Sequence, residues 1–277
     1  MSSSGNDVSD WWTTHVIDMA PGEIRLRGYP IEDLIGQITF PQMIWLMTRG
    51  ALPTPDQSRL LECALVAAVD HGPQAPSIAA ARMAVTCGLG LNGAMASAVN
   101  MLDDIHGGAG EQAVALFTWI DDAVQAGQSL QDVVPAMIDR WQAEQGKFIP
   151  GFGHRFHKPE DPRAPRLLQM VDDAAANGTV SGRFAAIARA MQHTLNTRKG
   201  KPVPMNIDGA TAVIYAELGF AGPLARGLFC LSRSVGIMSH AWEQMNQGGR
   251  NKGPTPPEYR WTYGGLNPIG HPKRALE

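Results

Sequence analysis

From Pro30 to about Asn246, apolar residues return every three or four positions, and nearly every such run is closed by glycine or proline before the next begins. That spacing lines one face of an α-helix, whereas a strand would alternate at every second residue. Ile31, Leu34 and Ile35 open the series with a short helix, and Pro41 through Arg49 form a second that Gly50 stops. Thr54-Pro55-Asp56-Gln57 reads as a capping box ahead of Leu60, Leu61, Ala64, Leu65, Ala67 and Ala68, with the helix ending at Asp70-His71-Gly72-Pro73. Further helices are expected over 77–86, 93–101, 111–126, 130–144, 164–176, 182–197, 210–218 and 222–238, the last persisting to about Asn246. Only the stretch around Pro21-Gly22 shows period-2 character, and a short hairpin or an irregular arm fits it equally well. The fold class is therefore all-α.

A chain of 277 residues can bury a large core in one or two domains. Its formal net charge of -3 leaves no basic excess to displace counterions, so nucleic acid is not an expected partner. The three cysteines are odd in number and lack metal-type spacing, which suits reduced, buried thiols in the cytoplasm. Met1 to Asp10 is Ser/Gly/Asp-rich and has no signal-peptide pattern. No apolar stretch approaches the ~20 residues a membrane span requires, so no membrane partner is expected. The Gly/Pro-rich tail from Gly248 to Glu277 reads as an extended arm.

Chemistry concentrates in the turns. Pro150 to Arg163 packs His154, His157, Arg155, Lys158 and Arg163 among Gly151, Gly153, Pro159 and Pro162, a composition suited to holding an anionic ligand. His71, His106 and Asp208 also stand beside glycine, at what read as helix ends. A carboxylate can take a proton next to a carbonyl while histidine donors stabilise an enolate oxygen and polarise an electrophile, so the set suits carbon-acid chemistry. Three histidines and an aspartate also suit a metal, but no His-x-x-x-His or His-Glu-x-x-His pairing anchors one, and none is expected.

The same residues carry a resemblance. Arg27-Gly28-Tyr29-Pro30-Ile31-Glu32-Asp33-Leu34, Asp70-His71, His106-Gly107-Gly108-Ala109, Gly151-Phe152-Gly153-His154-Arg155 with Asp161-Pro162-Arg163, Asn206-Ile207-Asp208 and Ser232-Arg233-Ser234-Val235-Gly236 resemble, in order, the motifs of the citrate synthase family. The resemblance implies a large helical dimerisation domain from 1–107 and 221–277 and a small CoA-binding domain over 108–220. It implies Asp208 as base, His106 as donor to the enol oxygen and His154 as donor to the 2-oxo carbonyl. His71, Arg163 and Arg233 would hold substrate carboxylates. CoA would lie along Ile149, Pro150, Gly151, Phe152 and Gly153, with Asn206 nearby and Lys158 and Lys201 near its phosphates; for the two lysines, solvated surface charge is the other reading.

Implied partners are an acyl-CoA with a small 2-oxo acid, or citryl-CoA, with coenzyme A thioester as substrate and no permanently bound cofactor. A homodimer whose active site is completed across the interface is also implied. The compact length and the Asp70-His71-Gly72-Pro73 motif are similar to the citryl-CoA lyase branch. Where the family places an Arg-Pro pair, this chain has Gly253-Pro254. Citrate synthase activity and a non-catalytic CoA-binding regulator are the alternatives; the latter predicts damage to His106, His154 or Asp208.

Overall fold

The computed structural model describes residues 11–265. The Met1–Asp10 start and the last part of the expected tail arm lie outside them. The chain opens with an antiparallel meander, β1 (Ile17–Ala20), β2 (Glu23–Leu26) and β3 (Tyr29–Pro30), with Ile17 opposite Leu26 and Leu26 opposite Tyr29. Of the two readings that fit the sequence equally, the hairpin is the one formed, with a two-residue third strand added. Helices follow: α1 (Ile31–Leu34), α2 (Phe40–Arg49), α3 (Pro55–Ala67), α4 (Pro76–Thr86), α5 (Leu91–Val99), α6 (Ala109–Gln125), α7 (Leu130–Gln145), α8 (Arg163–Ala176), α9 (Arg183–Lys199), α10 (Ile207–Glu217) and α11 (Gly222–Gln247). Capping boxes Thr39/Gln42 and Thr54/Gln57 open α2 and α3.

Two compact units result: one takes the chain up to His71 and Leu102–Gly236, the other Gly72–Met101 and the chain from Ile237 on. In the second, α4 and α5 pack through fully buried Ser77, Ala81, Ala94 and Ala98. There Arg82 forks onto Gln244, Glu243 and Gln247 of α11, and the Asn251 N–H returns to the Thr86 carbonyl at 2.7 Å. Cys63 and Cys230 are half-buried and Cys87 is exposed at the end of α4, so the expectation of buried thiols fails for Cys87.

In the first unit α10 is the central element. Ile207 and every residue from Gly209 to Ala216 are buried, as a helix that is apolar all round requires, and α6, α8, α3 and α9 surround it. Glu217 at its end does a second job. The α9 N-cap is Gly182, which has no side chain to offer the orphan N–H groups of that helix. The Glu217 carboxylate accepts instead from the N–H groups of Ser181 (3.1 Å), Gly182 (3.0 Å), Phe184 (2.8 Å) and Ala185 (3.3 Å). Glu217→Ala is expected to lower unfolding free energy by ~2–3 kcal/mol, as an earlier urea midpoint at unchanged slope. An unmoved midpoint would mean that water caps α9 equally well.

Candidate active site

The first turn of α10 presents Asp208, and the structure corrects where that turn lies. Sequence reasoning placed Asp208-Gly209 in a turn ahead of a helix from Ala210; the helix starts at Ile207, with Asn206 as its N-cap. Gly209 is there for contact. A Cβ on it would meet the Gly151 carbonyl oxygen at 2.4 Å, and one on Gly151 would meet the Gly209 Cα at 2.6 Å. The two backbones touch, and hydrogen bonds hold them: Asn206 N–H to Gly151 O at 2.9 Å, Gly153 N–H to Pro204 O at 2.7 Å, and Asn206 Nδ2 to Gly153 O at 2.8 Å. The 151–153 loop and the base-bearing helix end are thus one rigid piece.

Arg233 stands at the electrostatic centre. It is 3% exposed, its Nε donates to the Ala68 carbonyl at 3.1 Å, and its guanidinium lies 4.8 Å over the Phe229 ring. Among the described residues it forms no ion pair. A buried guanidinium with no carboxylate in contact is costly, and a bound anion would offset that cost. Burial first, then its fellow cation Arg163, pull the Arg233 pKa down, opposed by Asp208 and Asp70. Burial first, then Arg233, depresses His71 and His106 below the usual histidine value. Burial dominates at Asp208 too and raises its pKa, against the pull of Arg233 and Arg163. Gly236 fixes the His71 loop from below: a Cβ there would fall 2.2 Å from the Val69 carbonyl oxygen.

His154 lies 5.5 Å, ring to ring, from His71. Its Nδ1 accepts the N–H groups of Phe156 (3.0 Å) and His157 (2.9 Å), which places the proton of the neutral ring on Nε2 as a donor. Burial, then His157, lowers its pKa, so the neutral form persists near pH 7. His157 is half-buried, its ring 4.4 Å from that of His154. Sequence offered one signal, the His-x-x-His spacing inside a glycine turn. Fully buried Asp161 holds Arg163 through Nε (2.9 Å), Nη2 (2.8 Å) and the backbone N–H (3.1 Å), fixing the guanidinium before any ligand arrives. His154, His157 and Asp161 put ligating atoms within 4.8 Å of one another. Both Asp161 oxygens already serve Arg163, however, and that cation would repel a metal ion.

The structure therefore draws His71, His106, His154, Arg163, Arg233 and Asp208 into one unit with Gly151 and Gly153. Ile149 and Pro150 are buried, and Phe152 packs edge-on to Phe117 at 6.4 Å. Lys158 and Lys201 are exposed. Asn206 spends its side chain on the Gly209 N–H and the Gly153 carbonyl. A groove of about 890 Å³ between α2, α3 and α8 has Arg163 in its wall, but not the histidines or Asp208. Among the described residues no helix is long and apolar enough to cross a membrane.

Three comparisons bear on this arrangement. Residues 53–255 match the family model described as citrate synthase, C-terminal domain. The citrate synthase of Acidithiobacillus ferridurans is 28% identical over 201 residues, 72% of this chain and 50% of that protein. The chain spans about half the length of the citrate synthases it matches. Citryl-CoA lyase from Hydrogenobacter thermophilus superposes with a TM-score of 0.80 at 33% identity, covering 94% of this chain and 97% of that one. ATP citrate lyase from Methanothrix soehngenii, in complex with citrate and coenzyme A, superposes with a TM-score of 0.74 over 92% of this chain and 42% of that one. At 20% identity that likeness speaks to fold alone.

Proposed function

The chain belongs to the citrate synthase family, and we propose that it is a citryl-CoA lyase, cleaving citryl-CoA to acetyl-CoA and oxaloacetate. The observation that carries this reading is Arg233, a buried guanidinium with no carboxylate in contact among three neutral histidines and a half-buried aspartate. It and Arg163 receive substrate carboxylates, with His71 beside them. The tertiary hydroxyl of citryl-CoA loses its proton to solvent, and the His154 Nε2–H donates to the resulting alkoxide. As the C–C bond breaks, that oxygen becomes the oxaloacetate carbonyl while the bonding pair passes to the acetyl-CoA enolate. His106 donates to the enol oxygen of the departing acetyl-CoA, and Asp208 delivers a proton to its carbon.

CoA lies along Ile149 to Gly153, where the Pro150 and Phe152 carbonyls accept no backbone hydrogen bond from the described residues and can accept from an adenine amino group. Lys158 and Lys201 meet its phosphates. Residues 108–220 form the CoA-binding domain, and 1–107 with 221–277 the dimerisation domain; Gly107 and Gly219, both at positive φ, sit at the junctions. The partner is a second copy of the chain. Leu231, Val235, Met238, Trp242 and Met245 are exposed along α11 at alternating steps of four and three, a stripe that suits helix pairing. Free thiols suit a cytoplasmic setting.

Lyase is preferred to synthase because likeness to the Hydrogenobacter lyase runs through nearly the whole of both chains. The names of the sequence relatives favour the second reading, citrate synthase. One assay separates them: the protein is given citryl-CoA, or acetyl-CoA with oxaloacetate, while free thiol and oxaloacetate are followed. Oxaloacetate without thiol from citryl-CoA is the expected result. Thiol release from the second mixture selects the synthase, and silence in both with CoA still bound selects a regulator.

A further inference from the structure

We infer that Arg226 is the positioning residue for His106, holding its turn to α11 through a single guanidinium that bridges three carboxylates. His106 lies in a five-residue turn closed by the Asp103 N–H to His106 carbonyl bond at 2.9 Å and by the Asp103–Gly107 bridge. Arg226 donates to the Asp103 and Asp104 carboxylates of that turn. It also ion-pairs through Nε with Glu111 at the start of α6, without the alignment of a hydrogen bond. Exposed ion pairs usually contribute little, and the Asp103 and Asp104 side chains are 77% and 74% exposed. A planar fork that meets three acids at once is the exception, because no one of them can leave without freeing the others.

The same face of α11 does the rest. Residues 226, 229 and 233 follow one another at helical spacing. Phe229 fills the space beside Gly107, where a Cβ would meet its ring at 3.1 Å, and it also lies under Arg233. Arg226, Phe229 and Arg233 thus fix the His106 turn, its packing and the anion site from one helix. Around the turn stand Asp103 and Asp104 themselves, Arg226, Cys230 and Arg233 of α11, Glu111 of α6 and Asp208 of α10. Without Arg226 the two adjacent aspartates are uncompensated. Their repulsion then opens the turn, and hydration of the His106 ring relieves the burial that keeps it neutral.

The inference rests on the reading of His106 as the enol-oxygen donor, so its test has an arm independent of activity. His106 ring titration is followed by NMR in the full chain, for wild type and Arg226→Gln. An upward shift of the midpoint in the variant is expected, whatever reaction the protein performs. With citryl-CoA, kcat is expected to fall ~10- to 100-fold, with KM moving far less, as for a donor displaced by about 1 Å. Arg226→Lys keeps the charge but loses the fork, and is expected to hold the wild-type midpoint at an intermediate kcat. A folded Arg226→Gln chain with the wild-type midpoint overturns the inference. If that variant does not fold, Arg226→Lys decides: wild-type kcat overturns it, and a reduced kcat at unchanged KM supports it.

Discussion

Asp208→Asn is expected to reduce kcat for citryl-CoA cleavage by ~10²- to 10⁴-fold, the range for loss of a general acid or base, while CoA affinity holds. The substitution is nearly isosteric, so the Gly151–Gly209 contact and the Asn206 cap survive and only the titratable carboxyl is lost. The pH dependence has a direction. Burial raises the Asp208 pKa above the usual carboxylate value, despite Arg233 and Arg163. Cleavage needs the protonated acid to quench the enol, so kcat falls as pH rises through that raised pKa. Condensation needs the carboxylate and loses rate as pH falls through it.

Stability supplies a second signature, with the same sign as cleavage. Between the ordinary carboxylate pKa and the raised folded one, the native state binds more protons at Asp208 than the unfolded chain. That contribution to stability is therefore lost as pH rises through the window. Asparagine carries no charge to desolvate, so the Asn variant is expected to melt no lower than wild type at pH 7. A variant that keeps more than a tenth of wild-type kcat removes Asp208 from the proton transfer.

What was legible in the sequence was local. Thr54/Gln57 announced α3 because a capping box is a four-residue event, and the Ser232-Arg233-Ser234-Val235-Gly236 motif marked Arg233 because it is contiguous. Asp208-Gly209 misled, since glycine after a polar residue ordinarily marks a turn. Its partner, Gly151, is 58 positions away in the chain, and only the fold shows that Gly209 makes room for it. Arg226 was invisible for the same reason: on a helix it reads as a solvated charge, and Asp103 and Asp104 lie 123 and 122 positions from it. Nothing in a linear string says that the His157 ring rests on that of His154. Residue types announced the chemistry; the supports behind them are contacts between distant segments.

Gly209→Ala turns one such support into the second large expectation. The added methyl would lie 2.4 Å from the Gly151 oxygen, 2.9 Å from the Met205 Cγ and 3.0 Å from the Gly151 carbon. Methionine can move aside, but the Gly151 carbonyl cannot, because it accepts the Asn206 N–H and continues into the Phe152–Met205 bridge. The first turn of α10 must therefore retreat. Overpacking of this kind costs ~1–3 kcal/mol, with ~1 kcal/mol more for each hydrogen bond lost at the junction. Activity should suffer more than stability, because Asp208 precedes the altered residue and a shift of about 1 Å at a reacting group can cost ~10²-fold. Gly227 on α11 is the control: no atom stands within 4 Å of its would-be Cβ, so Gly227→Ala should stabilise the helix by up to ~1 kcal/mol. If both alanine variants melted and turned over alike, the contact between Gly151 and Gly209 would not be what holds the base in place.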